Sequence, residues 1–144
     1  MALLGVALLS ACAPYSGTTA QKVKQWVAYS SFKSDNDTVL SDVLLVRKAV
    51  KVGTVKQVRT ICGGFASDVG TTYTTLPTPD LALTDDLNAA DILFVDASTS
   101  CSGVSSVSSP AMKLALVKLT SGLEDLVRAQ RLLRSFGVTW NVRL

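Results

Sequence analysis

Apolar residues recur every three or four positions through the C-terminal third of the chain, with polar residues between them. The recurring positions are Met112, Leu116, Leu119, Leu123 and Leu126; polar Gln130 takes the next position, and Leu133 resumes the stripe. This spacing places them on one face of an amphipathic helix. Ser109-Pro110 is typical of an N-cap followed by proline at the first helical position. Gly137 is typical of a helix stop, so the pattern predicts one long helix between these residues.

Three further stretches have helical spacing, namely 22–33, 37–62 and 84–97. Gly53 is a candidate break within the second stretch, because glycine weakens a helix interior. Gly63-Gly64 is predicted to end that helix, and residues 66–79 are rich in Thr, Gly and Pro and predict a loop. The run Ile92–Val95 alone also fits a buried strand, but the helical spacing extends beyond it.

The last residues of the chain follow a different period. Val138, Trp140, Val142 and Leu144 alternate with polar residues, which predicts a terminal strand. A single strand requires a partner strand. We therefore predict a mainly α-helical fold, a small bundle of three to four helices. The alternative is an α+β domain with a small sheet that includes residues 138–144.

Composition narrows the class of protein. The 144 residues suffice for one domain, and they are 48% hydrophobic against 17% charged, unlike a disordered chain. No apolar run reaches the roughly 18 residues that a membrane-spanning helix needs. The chain contains no histidine, so its own side chains cannot assemble a Ser-His-Asp or Cys-His catalytic group. We expect no enzyme activity, no metal and no other cofactor.

The carboxylates cluster in one predicted helix, at Asp85, Asp86, Asp91 and Asp96. Asp85 and Asp96 would lie about three turns apart on that helix. They are therefore too distant to hold one metal ion, and we interpret the cluster as a solvated helix surface.

The N-terminal segment is short and apolar from Ala2 to Leu9, and it is followed by Leu9-Ser10-Ala11-Cys12. This tetrapeptide resembles the lipobox of bacterial lipoproteins. The resemblance implies that residues 1–11 form a signal peptide and that Cys12 carries the lipid. No basic residue precedes Lys22, unlike the usual start of a secretory signal. The alternative is a buried N-terminal helix that contains a free cysteine.

The residues that follow Cys12 agree with a lipoprotein. Residues 12–21 comprise the lipidated cysteine and an uncharged, Ser/Thr/Gly-containing stretch, which predicts a flexible tether. Residues 22–144 then form a single globular domain. Ala13 replaces the aspartate that would resemble an inner-membrane retention signal. The resemblance therefore implies an anchor at the periplasmic face of the outer membrane.

The three cysteines of the chain are Cys12, Cys62 and Cys101. If Cys12 is lipidated, Cys62 and Cys101 are left to pair, and the oxidising periplasm permits a disulfide bond. The alternative is two inert buried thiols.

Charge is distributed in blocks. Residues 22–62 carry eight Lys/Arg against three Asp, residues 63–101 carry six Asp and no basic residue, and residues 102–144 carry six Lys/Arg against two acidic residues. We interpret this as an acidic middle segment packed between basic flanks, the alternative being an acidic face that docks a basic partner. The net charge of +3 lacks a polybasic cluster, so we expect no nucleic-acid partner.

Together these features predict a lipid-anchored bacterial envelope protein. We expect it to contact the membrane through its lipid and to have a scaffolding or interaction role, with a protein partner, in a periplasmic or outer-membrane assembly. The alternative function is a periplasmic domain that binds a small ligand.

Overall fold

Helices account for most of the part of the chain that the computed structural model describes, residues 15–142. The α-helices are α1 Thr19–Tyr29, α2 Phe32–Val52, α3 Val55–Thr72, α4 Leu81–Ser102 and α5 Pro110–Ser135, with a 3-10 turn at Tyr73–Thr75. The predicted helical bundle is confirmed. Between residues 15 and 142 there is no strand, so the predicted strand from residue 138 onward is wrong as far as residue 142.

Side-chain caps fix where the helices begin. Thr18 and Thr54 each form a capping box with the glutamine three residues later, at the start of α1 and α3. Asp80 caps α4 by accepting a hydrogen bond from the backbone N–H of Leu83. Ser109 caps α5 as predicted, with Pro110 at the first helical position.

The boundaries of three predicted elements need correction. α1 begins at Thr19, so the last residues of the predicted tether 12–21 are helical. The predicted helix 37–62 is two helices separated at Gly53, which was the candidate break. Gly63 and Gly64 do not end a helix but lie inside α3.

The predicted loop at residues 66–79 is helical as far as Thr72. Phe65, Val69 and Thr72 are buried on the packing face of α3, which continues through this Gly- and Thr-rich stretch. Tertiary burial therefore outweighs the weak helix propensity of the local sequence.

Helices α2 to α5 run antiparallel to their chain neighbours. Cys62 of α3 pairs with Cys101 of α4 near one end of the bundle, while Phe65 packs on Phe94 one turn further along, with ring centroids 5.7 Å apart. Gly122 of α5 faces the same Phe94 ring, and a Cβ atom there would lie 2.5 Å from it. Glycine at position 122 therefore permits the close approach of α4 and α5.

Helix α1 covers one end of the bundle, which we call the α1 end. Trp26 of α1 packs on Phe32, which in turn packs on Trp140 from the C-terminal segment. The Trp26 indole N–H donates a hydrogen bond of 2.8 Å to the carbonyl of Thr75. Gly137 adopts φ +77 where the chain turns back after α5, as expected of a helix stop.

The opposite end of the bundle is formed by the turn between α2 and α3 and by the connection between α4 and α5. We call it the Gly53 end. Arg59 ties its two halves together by donating a 2.7 Å hydrogen bond from Nε to the carbonyl of Val104. None of the helices between residues 15 and 142 is both long and apolar enough to cross a membrane.

Candidate functional site

Cys12, the predicted lipidation site, lies outside the described residues. Gly17 turns the chain into α1 with φ +95. The backbone of Ser16 exchanges two hydrogen bonds, each 3.2 Å, with the side-chain amide of Gln25. Ser16 is therefore held against α1, at the α1 end of the bundle.

Cys62 and Cys101, the predicted disulfide partners, lie at disulfide-bonding distance, with Cα atoms 5.9 Å apart. Both side chains are fully buried. Ser98, one turn before Cys101, donates a 2.7 Å hydrogen bond to the carbonyl of Cys62. The pair and this hydrogen bond join α3 to α4 near the Gly53 end.

The four predicted carboxylates of α4 do not converge on one point. Asp85 is exposed, whereas Asp86 accepts a 3.1 Å hydrogen bond from Arg128 of α5. Asp96 pairs with Lys118 of α5 at 2.9 Å. The described residues contain no group of acidic, Cys or His side chains that could hold a metal ion. The ion pairs of Asp86 and Asp96 instead join the acidic helix α4 to the basic helix α5.

Asp91 contradicts the interpretation of this cluster as a solvated surface, because its side chain is buried with 2% exposure. It occupies the core face of α4, four residues after Leu87 and three before Phe94. Burial raises the pKa of Asp91 to about 7, although a side-chain hydrogen bond with Thr72 lowers it in part. The pKa of nearby Tyr73 is also raised, first by burial and then by the charges of Asp91 and Asp96.

A second carboxyl pair, Asp42 of α2 and Asp68 of α3, was not singled out from the sequence. The pKa of Asp42 is raised to about 6, first by burial and then by the hydrogen bond with Asp68 and by the charge of Asp68. Within the described residues the buried Oδ2 atom of Asp42 has no hydrogen-bond partner. The sequence shows that Asp42 lies beside the apolar stripe of α2 and Asp68 beside that of α3, but it does not show that the two residues meet, because that depends on how α2 and α3 pack.

An open groove of about 470 Å³ lies between α2 and the C-terminal segment. Its wall includes Lys33, Asp37, Trp140 and Asn141. The Trp140 indole N–H donates a 3.1 Å hydrogen bond to Asp37, and Gln130 holds the Trp140 carbonyl at 2.6 Å. The groove thus combines one aromatic ring with a cation, a carboxylate and an amide, a set of groups suited to a small polar ligand.

The chain matches no protein-family model, no curated protein and no solved structure.

Proposed function

We propose that this protein is a lipid-anchored component of the bacterial cell envelope. In this proposal residues 1–11 are removed, Cys12 is acylated, and the domain is held at the periplasmic face of the outer membrane. The observation that carries the proposal is the sequence Leu9-Ser10-Ala11-Cys12, in which small residues precede the cysteine as in bacterial lipoproteins.

The structure bears on this proposal in two ways. Only two residues separate Cys12 from Tyr15, the first described residue, and this interval spans at most roughly 10 Å. An acylated Cys12 would therefore hold the α1 end close to the bilayer. The buried pair Cys62 and Cys101, at disulfide-bonding distance, is suited to an oxidising compartment such as the periplasm.

We propose a scaffolding or interaction role for the anchored domain, without enzymatic activity, a cofactor or a nucleic-acid partner. Tyr29 at the end of α1 is 83% exposed, and Leu81 at the start of α4 is 76% exposed. These two exposed side chains are the contact points that we propose for a protein partner. A photoreactive residue at position 29 should crosslink one envelope protein, and a Leu81→Ser change should reduce that crosslink if both residues contact the partner.

Membrane fractionation of cells tests the anchor. The wild-type chain should sediment with the outer membrane and partition into detergent. The Cys12→Ser variant, which retains every other residue, should be found in the soluble periplasmic or cytoplasmic fraction or remain as an uncleaved precursor. Equal distribution and equal detergent partition of the two proteins would contradict the proposal.

The alternative function, binding of a small ligand, is supported by the groove between α2 and the C-terminal segment. Its lining residues Lys33, Asp37 and Asn141 supply complementary polar groups beside the Trp140 ring. A panel of small zwitterionic and anionic metabolites should then raise the unfolding temperature of the wild type and not that of Lys33→Ala. Unchanged unfolding temperatures across the panel would contradict ligand binding.

A further inference from the structure

Acidic residues are absent from the part of the chain that forms the Gly53 end of the bundle. Residues 43–67 and 97–123, which form this end, contain seven Lys or Arg and no Asp or Glu. These residues are Arg47, Lys48, Lys51, Lys56, Arg59, Lys113 and Lys118. Among residues 15–142, only Lys118 of this set has an ion-pair partner, Asp96. The Gly53 end therefore presents a cationic surface that the fold itself leaves largely uncompensated.

The second half of α2 adds apolar side chains to this charge. Val52 is 79% exposed, and Leu44 and Leu45 are about half exposed. They share one side of α2 with the basic residues of that half, within an arc of about 160° at 3.6 residues per turn. We call this surface the basic ridge. Its members are Leu44, Leu45, Arg47, Lys48, Lys51 and Val52.

Helix α5 extends the same surface. Arg47 donates a 3.1 Å hydrogen bond to Thr120, which brings α5 alongside the basic ridge. Lys113 and the 61%-exposed Val117 lie on the outer side of α5 near this contact. Between the two helices lies an open depression of about 310 Å³. Exposed apolar side chains interspersed with unpaired cations therefore cover two adjacent helices.

We propose that the basic ridge binds the surface of an anionic phospholipid bilayer, with Leu44, Leu45 and Val52 entering the boundary between headgroups and acyl chains. A surface helix that combines Lys and Arg with exposed apolar residues has the chemistry for this site, because lipid phosphates attract the cations while the bilayer removes apolar surface from water. The ridge lies along one side of the bundle, and its cations alternate with exposed apolar side chains, a combination that matches the charged headgroups and the apolar interior of a single bilayer surface.

The anchor and the basic ridge are compatible with one orientation. Lys48 is 16 residues after Phe32 at the α1 end, a distance of roughly 24 Å along α2. A domain lying on its side could therefore contact one bilayer through both the acylated Cys12 and the ridge. This orientation rests on the proposed function, whereas the affinity of the ridge for anionic lipid does not.

Vesicle co-sedimentation tests the ridge with the full chain carrying Cys12→Ser, so that no acyl chain contributes. Vesicles of phosphatidylcholine with about one-third phosphatidylglycerol are compared with vesicles of phosphatidylcholine alone. The variant Lys48→Glu/Lys51→Glu reverses two charges on the ridge. The matched control Lys24→Glu/Arg131→Glu reverses two exposed charges near the α1 end. Circular dichroism confirms that each variant is folded.

The ridge variant should bind the anionic vesicles at least about tenfold more weakly than the parent, and the control should stay within about twofold. A Val52→Ser change should also weaken binding without altering net charge, because it removes an inserted apolar side chain. An equal loss in the ridge and control variants would overturn the proposal, since only net charge would then matter. Absence of binding to anionic vesicles would also overturn it and would redirect the search toward an acidic protein surface.

The outcome is independent of the proposed function. Failure of the vesicle experiment would leave acylation of Cys12 unaffected, because the tested chain carries serine at that position. Conversely, an unacylated native protein could still bind anionic vesicles through the ridge. The apolar residues 2–9 are present in every variant, so their contribution cancels in the comparison.

Discussion

Replacing Asp91 by asparagine should make the protein more stable at alkaline pH and should remove part of the pH dependence of its unfolding free energy. Asp91 is buried on the core face of α4 opposite Thr72 of α3. Asparagine has nearly the same shape and also forms hydrogen bonds, but it cannot ionise. The substitution therefore tests the cost of placing a carboxylate charge in this core.

The magnitude follows from the pKa of Asp91, which burial raises from 3.8 to about 7. A raised pKa in the folded state means that folding favours the protonated acid. The contribution of the protonated Asp91 to the unfolding free energy is complete below pH 3.8 and is lost as the pH rises through about 7. The difference of about three pKa units corresponds to roughly 4 kcal/mol of unfolding free energy, of which about 2.5 kcal/mol is lost between pH 5 and pH 8.

Urea unfolding at pH 5 and at pH 8 measures this effect. Between the two pH values, the unfolding free energy of the Asp91→Asn variant should fall by about 2.5 kcal/mol less than that of the wild type. At pH 8 the variant should be more stable than the wild type. Asp42, whose pKa is raised to about 6, titrates in the same interval. Its contribution is common to both proteins and cancels in the comparison.

The control substitution is Asp85→Asn, on the exposed side of the same helix. It removes one carboxylate from α4 without changing the core, and it should leave the pH dependence close to that of the wild type. If Asp91→Asn has the same pH dependence as the wild type, the side chain is ionised in the folded protein at neutral pH. The assignment of Asp91 as a buried protonated acid would then be wrong.

Three further predictions concern the fold and are read by urea unfolding. Gly122→Ala should destabilise the protein by about 1–2 kcal/mol, because the added Cβ atom meets the Phe94 ring. Gly63→Ala should stabilise it by about 0.5–1 kcal/mol, because position 63 of α3 faces open space and alanine favours a helix. The opposite order of stabilities would contradict the packing described. The double change Cys62→Ser/Cys101→Ser should lower the unfolding free energy by roughly 4 kcal/mol relative to the oxidised wild type. If the two cysteines are bonded, a reducing agent should lower the stability of the wild type and leave that of the double variant unchanged. Thr54→Ala should cost about 1 kcal/mol by removing the capping box of α3, and no change would refute the role of that cap.

The sequence predicted α5 best because its signals agree with one another. The apolar stripe, the Ser109-Pro110 start and the Gly137 stop all indicate the same helix, and the structure has it at Pro110–Ser135. α3 was predicted poorly because its signals conflict. Gly63-Gly64 and the Thr-rich stretch after them favour a break, but the buried face through Phe65 and Val69 maintains the helix. Only the packing against α2 and α4 decides between these signals.

The terminal strand was a wrong interpretation of a correct pattern. Val138 and Trp140 are indeed buried and alternate with exposed residues. Their backbone groups, however, do not pair with a second strand: the Val138 N–H donates to the carbonyl of Leu133 at the end of α5, and the Trp140 carbonyl accepts from the side chain of Gln130. A period of two identifies a half-buried extended segment but not what pairs with its backbone.

The candidate site residues also differ in how far the sequence alone could predict them. The pairing of Cys62 with Cys101 followed from counting cysteines, since one of three was already assigned to lipid. The burial of Asp91 could have been predicted from its place three residues before Phe94, but the three other carboxylates of α4 favoured a surface interpretation. The pair Asp42 and Asp68 joins residues 26 apart on different helices, and such pairs depend on how the helices pack.

The intact mass of the protein extracted from bacterial membranes tests the anchor most directly. The wild type is predicted to begin at Cys12, to carry the mass of acyl chains, and to be lighter by two hydrogen atoms without reduction than after it. The Cys12→Ser variant should carry no acyl mass. An unmodified wild-type chain that begins at Met1 would contradict the lipid-anchored account.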